Sequence, residues 1–347
     1  MNLRHTLFGL MAPALLVAMA ACNSDTAYTV GGTIAGSVGP VVLQLNANAP
    51  TTVTAPGAFT LAGEIGEGAA YTVTLVSAAQ NCTLGNATGT ISNTNLSNVT
   101  VTCGAVVRSA SLAGAAENPA VTTAASGSGG VVVNPATREI SGGVSFAGLT
   151  PNTGGHHIHQ APAGNASANG PVIIGLVLAP DGRSAVVPAG AVLTEAQYAA
   201  LVAGELYLNV HTAANPGGEI RGQLNLRGAV TAATATLSGT QEVPANASTA
   251  SGRGTVIVDT NTLDVIVAYE THNVVGATVS HIHTGAVGVN GPANVVTFRA
   301  GTNMFVAPAG VRLTAQQLID LKAGNHYFNV HSATFPGGEI RGQAAVQ

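Results

Sequence analysis

One phrase occurs twice in this chain, and it constrains the fold more than any other feature. Residues 207–223 read YLNVHTAANPGGEIRGQ, and residues 327–343 read YFNVHSATFPGGEIRGQ. Upstream of each stands a second twin, His157-Ile158-His159 in the first copy and His281-Ile282-His283 in the second. A repeat of more than a hundred residues is far too long for a solenoid unit and matches a whole small domain. The chain therefore holds two related domains, each bringing an HIH and an NVH toward its end.

The elements of those domains are strands. Only 7% of the 347 residues are charged, and Trp is absent. Short Val/Thr-rich runs lie between Gly, Pro and Asn clusters, as in YTVTL (71–75), GVVV (130–133), GTVIV (254–258) and DVIVAY (264–269). The expected fold is all-β, with three β-sandwich modules in tandem. Eleven basic residues stand against fifteen acidic ones, a formal net charge of −4. With no basic patch to meet phosphates, nucleic acid is excluded as a partner.

Residues 1–21 read as an export signal: Arg4 and His5, an apolar run from Leu7, and small residues before Cys22. The run is too short for a membrane span. The sequence Met19-Ala20-Ala21-Cys22 resembles the bacterial lipobox, which implies a lipid on Cys22 and a membrane partner held through it. Asn23, where a retention signal would put Asp, implies the outer membrane or cell surface as destination. Residues 22–104 then form a spacer resembling the immunoglobulin-like modules that follow lipoboxes. Its Cys82 and Cys103 read as one disulfide in an exported protein. The crosslink would close a loop of about twenty residues and stabilise by roughly 3 kcal/mol.

Residues 105–228 and 229–347 are the repeated domains. Each opens on a related phrase, LAGAAENP (112–119) and LSGTQEVP (237–244). Each holds one short helix announced by a capping box, Thr194 with Gln197 and Thr314 with Gln317. Gly204 and Gly324 stand where each helix should stop, and Leu201 and Val202, or Leu318, Ile319 and Leu321, supply the buried face.

Alternate side chains of a strand share a face. His157 and His159 therefore point one way and Ile158 the other, and His281, Ile282 and His283 repeat this. Val210 and Val330 pack inward while His211 and His331 face the opposite side. Two imidazoles on one strand and a third on its neighbour can converge on one ion at about 2 Å. Imidazole suits Cu, Zn, Fe and Ni alike. The candidate ligands are His157, His159 and His211, and His281, His283 and His331. The competing reading is that these histidines only satisfy backbone carbonyls. His156, His272 and His326 have no twin in the other copy and read as incidental. Glu219 with Arg221, and Glu339 with Arg341, could form strand-end ion pairs, and either glutamate could hold the second nitrogen of a ligating ring.

In order, LSGTQEVP, HIHTGAVGVNGP, LTAQQLIDLKAGNHYFNVH and PGGEIRGQ resemble the CHRD domain, first described in chordin. The likeness covers 109–227 and 233–347. A fainter resemblance, in HIH, a Gly-rich turn, NVH and a late arginine, is to copper–zinc superoxide dismutase. It implies a superoxide-dismutase-like sandwich, copper on the six histidines at one ion per domain, and Arg221 and Arg341 beside the metal. The metal-bridging histidine, the zinc loop and the intradomain cysteine pair of that enzyme have no counterpart here, so the resemblance implies at most a copper redox activity. Two functions follow for the chain. One is a surface-anchored copper-binding lipoprotein, and the other is a non-catalytic interaction or matrix module, with a protein or matrix partner, whose histidines are structural.

Overall fold

A computed structural model describes residues 26–150, 153–225 and 229–347. The expected signal and Cys22 lie outside the described residues. The architecture is all-β, with two short α-helices and two single-turn helices among the described residues.

The N-terminal unit has two four-stranded sheets. One runs Gly57–Thr60, Val30–Ala35, Leu96–Cys103, Cys82–Gly85, and the other Thr51–Val53, Val41–Leu45, Ala70–Ala78, Thr88–Thr90. Val30, Leu43, Leu45, Val99 and Val101 fill the space between them with no exposed surface. Their period-two spacing is what a sheet with one wet face requires. Cys82 and Cys103 lie directly opposite each other on neighbouring strands and form the expected disulfide.

Each repeated domain is a single sheet curled into a nearly closed barrel. In the first, the strand order is Val172–Gly175, Thr153–Gln160, Leu206–Thr212, Ile220–Gln223, Val106–Ala113, Ser126–Val133, Ile140–Ala147, Ser184–Val186, Val177–Leu178. The second repeats that order strand for strand, with Ala345–Val346 added beside Val230–Ser238. Ile158, Leu208, Val210 and Ile220 are fully buried in the first barrel, as are Phe328, Val330 and Ile340 in the second. These are the alternate residues whose neighbours carry the polar groups, so strand parity alone sorts the two faces.

Helix α1 (Glu195–Val202) and helix α2 (Ala315–Lys322) have complete capping boxes, with Thr194 and Thr314 accepting from the backbone of Gln197 and Gln317. Gly204 and Gly324 follow at positive φ, 76° and 74°. Leu201, Leu318 and Leu321 are buried as expected, but Ile319 is exposed and Val202 only half-buried. Eight residues present just two turns, and the apolar stripe reaching the barrel is narrower than the run of apolar letters suggests.

The two barrels share a further apolar layer that includes Val132, Val186, Ile257, Ile266, Tyr269 and Val306. Within it the Gly142 amide donates to the Tyr269 hydroxyl at 3.0 Å.

Candidate metal centre

Three adjacent strands carry each centre. In the second domain they are Ala277–Thr284, His326–Ser332 and Ile340–Gln343. Register places Val279 opposite His331, His281 opposite Asn329, and His283 opposite Tyr327. It places Asn329 opposite Arg341 and Tyr327 opposite Gln343. In the first domain the matching pairs are Gly155 with His211, His157 with Asn209, and His159 with Tyr207. Asn209 again faces Arg221. One face of the sheet is thus apolar core, and the other is a polar layer built around three imidazoles.

The six histidines gather into two clusters of three. Within each, one ring nitrogen per residue lies within 4.8 Å of the other two. In the first cluster the ring centroids are separated by 5.4 Å for His157–His159, 5.0 Å for His157–His211 and 5.6 Å for His159–His211. In the second, His281 lies 5.6 Å from His283 and 5.1 Å from His331.

Backbone carbonyls fix which nitrogen carries the proton. His159 Nδ1 lies 3.0 Å from the Gly170 carbonyl, and His211 Nδ1 lies 3.0 Å from that of Pro216. Both Nδ1 atoms must donate, because a carbonyl can only accept. Both Nε2 atoms are then lone pairs, and they face each other at 3.4 Å. Two tetrahedral ligands at 2.0–2.1 Å from zinc would stand about 3.3 Å apart. In the second domain His283 Nδ1 donates to Gly291 at 2.9 Å and His331 Nδ1 to Pro336 at 3.1 Å. His331 Nε2 meets His281 Nδ1 at 3.2 Å. Buried His157 Nδ1 and His283 Nε2 have no protein partner. An unpartnered buried nitrogen in each cluster, and opposed lone pairs in the first, are what a cation or proton at the centre would satisfy.

The protonation states suit a metal. Burial pushes His159 down to about 4, against the pull of the Gly170 carbonyl and with His211, His157 and Arg221 adding to the shift. Burial also lowers His157, His211, His281 and His283. Neutral imidazole is the ligating form.

A stacked column supports one histidine in each cluster. Tyr207 stacks on His159 at 5.0 Å, and the Arg221 guanidinium lies 3.5 Å over the Tyr207 ring. In the second copy these distances are 4.8 Å and 3.4 Å, for His283–Tyr327 and Arg341–Tyr327. Gly170 ties the column together, its amide donating to Tyr207 Oη at 3.0 Å while its carbonyl accepts from His159 Nδ1. A Cβ on Gly170 would fall 1.7 Å from the Gln160 oxygen, and one on Gly291 1.6 Å from that of Thr284. Only glycine fits these turns.

The expected Glu–Arg pairs do not form. Arg221 donates instead to Asn169 Oδ1 and to the carbonyls of Ala166 and Ala168, and Arg341 to Asn290 Oδ1, Ala286 and Val289. Burial raises Glu219, but the hydroxyls of Thr150, Thr123 and Thr212 and the Thr150 amide overcome that and hold it down to about 2. Glu339 accepts from Ser248 at 2.8 Å. Neither glutamate braces a histidine, since the backbone carbonyls have that role. All four side chains are turned from the apolar core yet buried, because loops cover the polar layer.

His156 and His272 join neither cluster. They stack on Phe146 and Phe305 respectively, and His326 Nε2 lies 3.3 Å from the Thr284 hydroxyl. Sequence reasoning missed Tyr207, Asn209, Gly170 and Glu117 with their twins Tyr327, Asn329, Gly291 and Glu242. Their signal was recurrence at matched places in both copies.

No curated protein matches the chain. The family model of the CHRD domain matches residues 108–224 and 233–344. These two spans contain both histidine clusters and both supporting columns, and the chain belongs to the CHRD-domain family.

Proposed function

We propose that this is an exported, membrane-anchored protein that binds one copper ion in each CHRD domain. The observation supporting the metal reading is the fixed tautomer of His159 and His211, which leaves two Nε2 lone pairs opposed at 3.4 Å. The other donors would be His157 Nδ1 in the first centre, and His281, His283 and His331 in the second. An all-imidazole set outside the cytoplasm favours copper among the metals that imidazole accepts. Bound copper would supply one-electron redox chemistry. The chain's part is to hold three neutral rings on rigid strands, to brace them through Gly170, Pro216, Gly291 and Pro336, and to keep a guanidinium nearby. Export and the lipid on Cys22 rest on the N-terminal sequence. No helix among the described residues is long and apolar enough to cross a membrane.

A Cu(II)-loaded sample should give an electron paramagnetic resonance spectrum with imidazole-nitrogen coupling. The spectrum should be lost from the protein with all six histidines changed to alanine. A protein that retains no Cu(II) after desalting would leave the histidines structural and favour the interaction-module reading. Exposed Val287, Val289, Val296 and Phe298 on the second domain would be the first surface to probe in that case.

A further inference from the structure

Beside each centre lies a glutamate that none of the preceding roles explains. Glu117 and Glu242 follow the single-turn helices Gly114–Ala116 and Gly239–Gln241, and both are buried. Each reaches the asparagine that stands opposite the first histidine in strand register, Asn209 opposite His157 and Asn329 opposite His281. Asn329 Nδ2 donates to Glu242 Oε2 at 3.3 Å. The second pair of atoms is the anomaly. Glu242 Oε1 and Asn329 Oδ1 are both buried acceptors without a donor, and so are Glu117 Oε1 and Asn209 Oδ1. Both acceptors of each pair border the last glycine of the Pro-Gly-Gly turn. A Cβ on Gly338 would lie 2.5 Å from Asn329 Oδ1 and 2.7 Å from Glu242 Oε1, and one on Gly218 2.5 Å and 2.6 Å from Asn209 Oδ1 and Glu117 Oε1.

We propose that Glu117 and Glu242 are carboxylic acids whose O–H donates to Asn209 Oδ1 and Asn329 Oδ1, and that this acid–amide pair positions the strand that carries His211 or His331. The protonated form supplies the missing donor. It completes a two-point ring in which the amide donates to one carboxyl oxygen and the other carboxyl oxygen donates back. An ionised carboxylate would leave two buried acceptors opposed, at a cost comparable to a lost charged hydrogen bond. The charged group facing each acid is Arg221 or Arg341, whose guanidinium donates to the covering loop. From the turn and the NVH strand, Gly218 and Asn209 lie beside Glu117, and Gly338 and Asn329 beside Glu242. Burial raises both carboxyls to about 7 despite those arginines, in keeping with the geometry. A groove of about 580 Å³ lined by Glu117, Asn118, Ser167 and Arg221 gives the first acid a path to solvent.

The positioning role rests on the metal reading, whereas the acid–amide pair does not, so the test has two arms. In metal-free full-length protein, the infrared difference between wild type and Glu117→Gln/Glu242→Gln should contain a protonated-carboxyl band at pH 6 that titrates away above neutral pH. Other buried acids are common to both proteins and cancel. Absence of that band at pH 6 would overturn the proposal. In the copper-loaded protein, Glu242→Gln replaces the O–H with an N–H donor and should keep affinity while abolishing any spectral change between pH 6 and 9. Glu242→Ala should weaken the second centre by about tenfold. Unchanged affinity in Glu242→Ala, with an unaltered pH profile in Glu242→Gln, would overturn the positioning role. A band at pH 6 in a protein that binds no copper would sink the metal reading and leave the acid–amide pair standing.

Discussion

His159 Nε2 and His211 Nε2 face each other at 3.4 Å although each ring spends its only proton on a carbonyl, Gly170 for one and Pro216 for the other. Nothing in the fold requires two lone pairs to meet there. The arrangement is bought by two specific turns, Asn-Gly-Pro before one strand and Pro-Gly-Gly before another, and both occur again in the second domain. This places the turns, as much as the histidines, at the origin of the site.

The first prediction concerns those turns. Gly291→Ala drives a Cβ to 1.6 Å from the Thr284 oxygen, so the backbone that fixes His283 must shift. The variant should lose about 2 kcal/mol of stability and roughly 10- to 100-fold in metal affinity at the second centre. Urea unfolding and competitive chelator titration measure the two effects. An unaltered affinity would show that the Gly291 carbonyl does not brace the ligand.

A second prediction uses Glu270. It is wholly buried, and neither carboxyl oxygen makes a hydrogen bond of normal geometry, the Ser280 hydroxyl being a looser neighbour. Burial raises it to about 8, with the Ser280 hydroxyl pulling the other way. The folded state therefore keeps a proton that the unfolded chain gives up above its ordinary value. Folding stability conferred by that proton is full at low pH and falls as pH rises from about 4.5 through about 8. Glu270→Met should stabilise by about 1–3 kcal/mol at pH 8 and flatten that decline. A variant less stable than wild type at pH 8 would contradict this.

The disulfide gives a third. Cys82 and Cys103 are separated by 21 positions. Changing both to alanine should cost the N-terminal unit roughly 3 kcal/mol while leaving the metal content of the CHRD domains untouched. Calorimetry and metal analysis of the same sample read both outcomes.

A fourth tests the proposed anchor. Wild-type protein expressed in its envelope should fractionate with membranes, and Cys22→Ser should move it to the soluble periplasm or the medium. An unchanged distribution would remove the lipid from the account.

The fold and the two histidine clusters were legible because both depend on local rules. Ile158 and Ile282 between paired histidines announce which face is core, and strand parity does the rest. The capping boxes at Thr194 and Thr314 are equally local. What surrounds the histidines was not legible, because it is made by contacts between segments far apart in sequence. Glu219 and Arg221 sit two residues apart and look like a pair, yet Thr123, Thr150 and the loop at Ala166 capture them separately. The carbonyls that brace the rings carry no side-chain signature at all. Glu117 and Glu242 lie well upstream of the asparagines they meet, and only the closed sheet brings them together.

Metal stoichiometry tests the central claim most directly. Purified mature protein, stripped with chelator, re-exposed to Cu(II) and desalted, should retain one ion per CHRD domain. His281→Ala/His283→Ala/His331→Ala should remove one ion, and His157→Ala/His159→Ala/His211→Ala the other. His272→Ala and His326→Ala should leave the count alone. Because the ligands must be neutral and burial lowers His157, His159, His211, His281 and His283, with His159 down to about 4, retention should persist below the ordinary histidine value and fall as pH approaches about 4. A wild-type protein that keeps no copper, or triple variants that keep as much as wild type, would contradict the account.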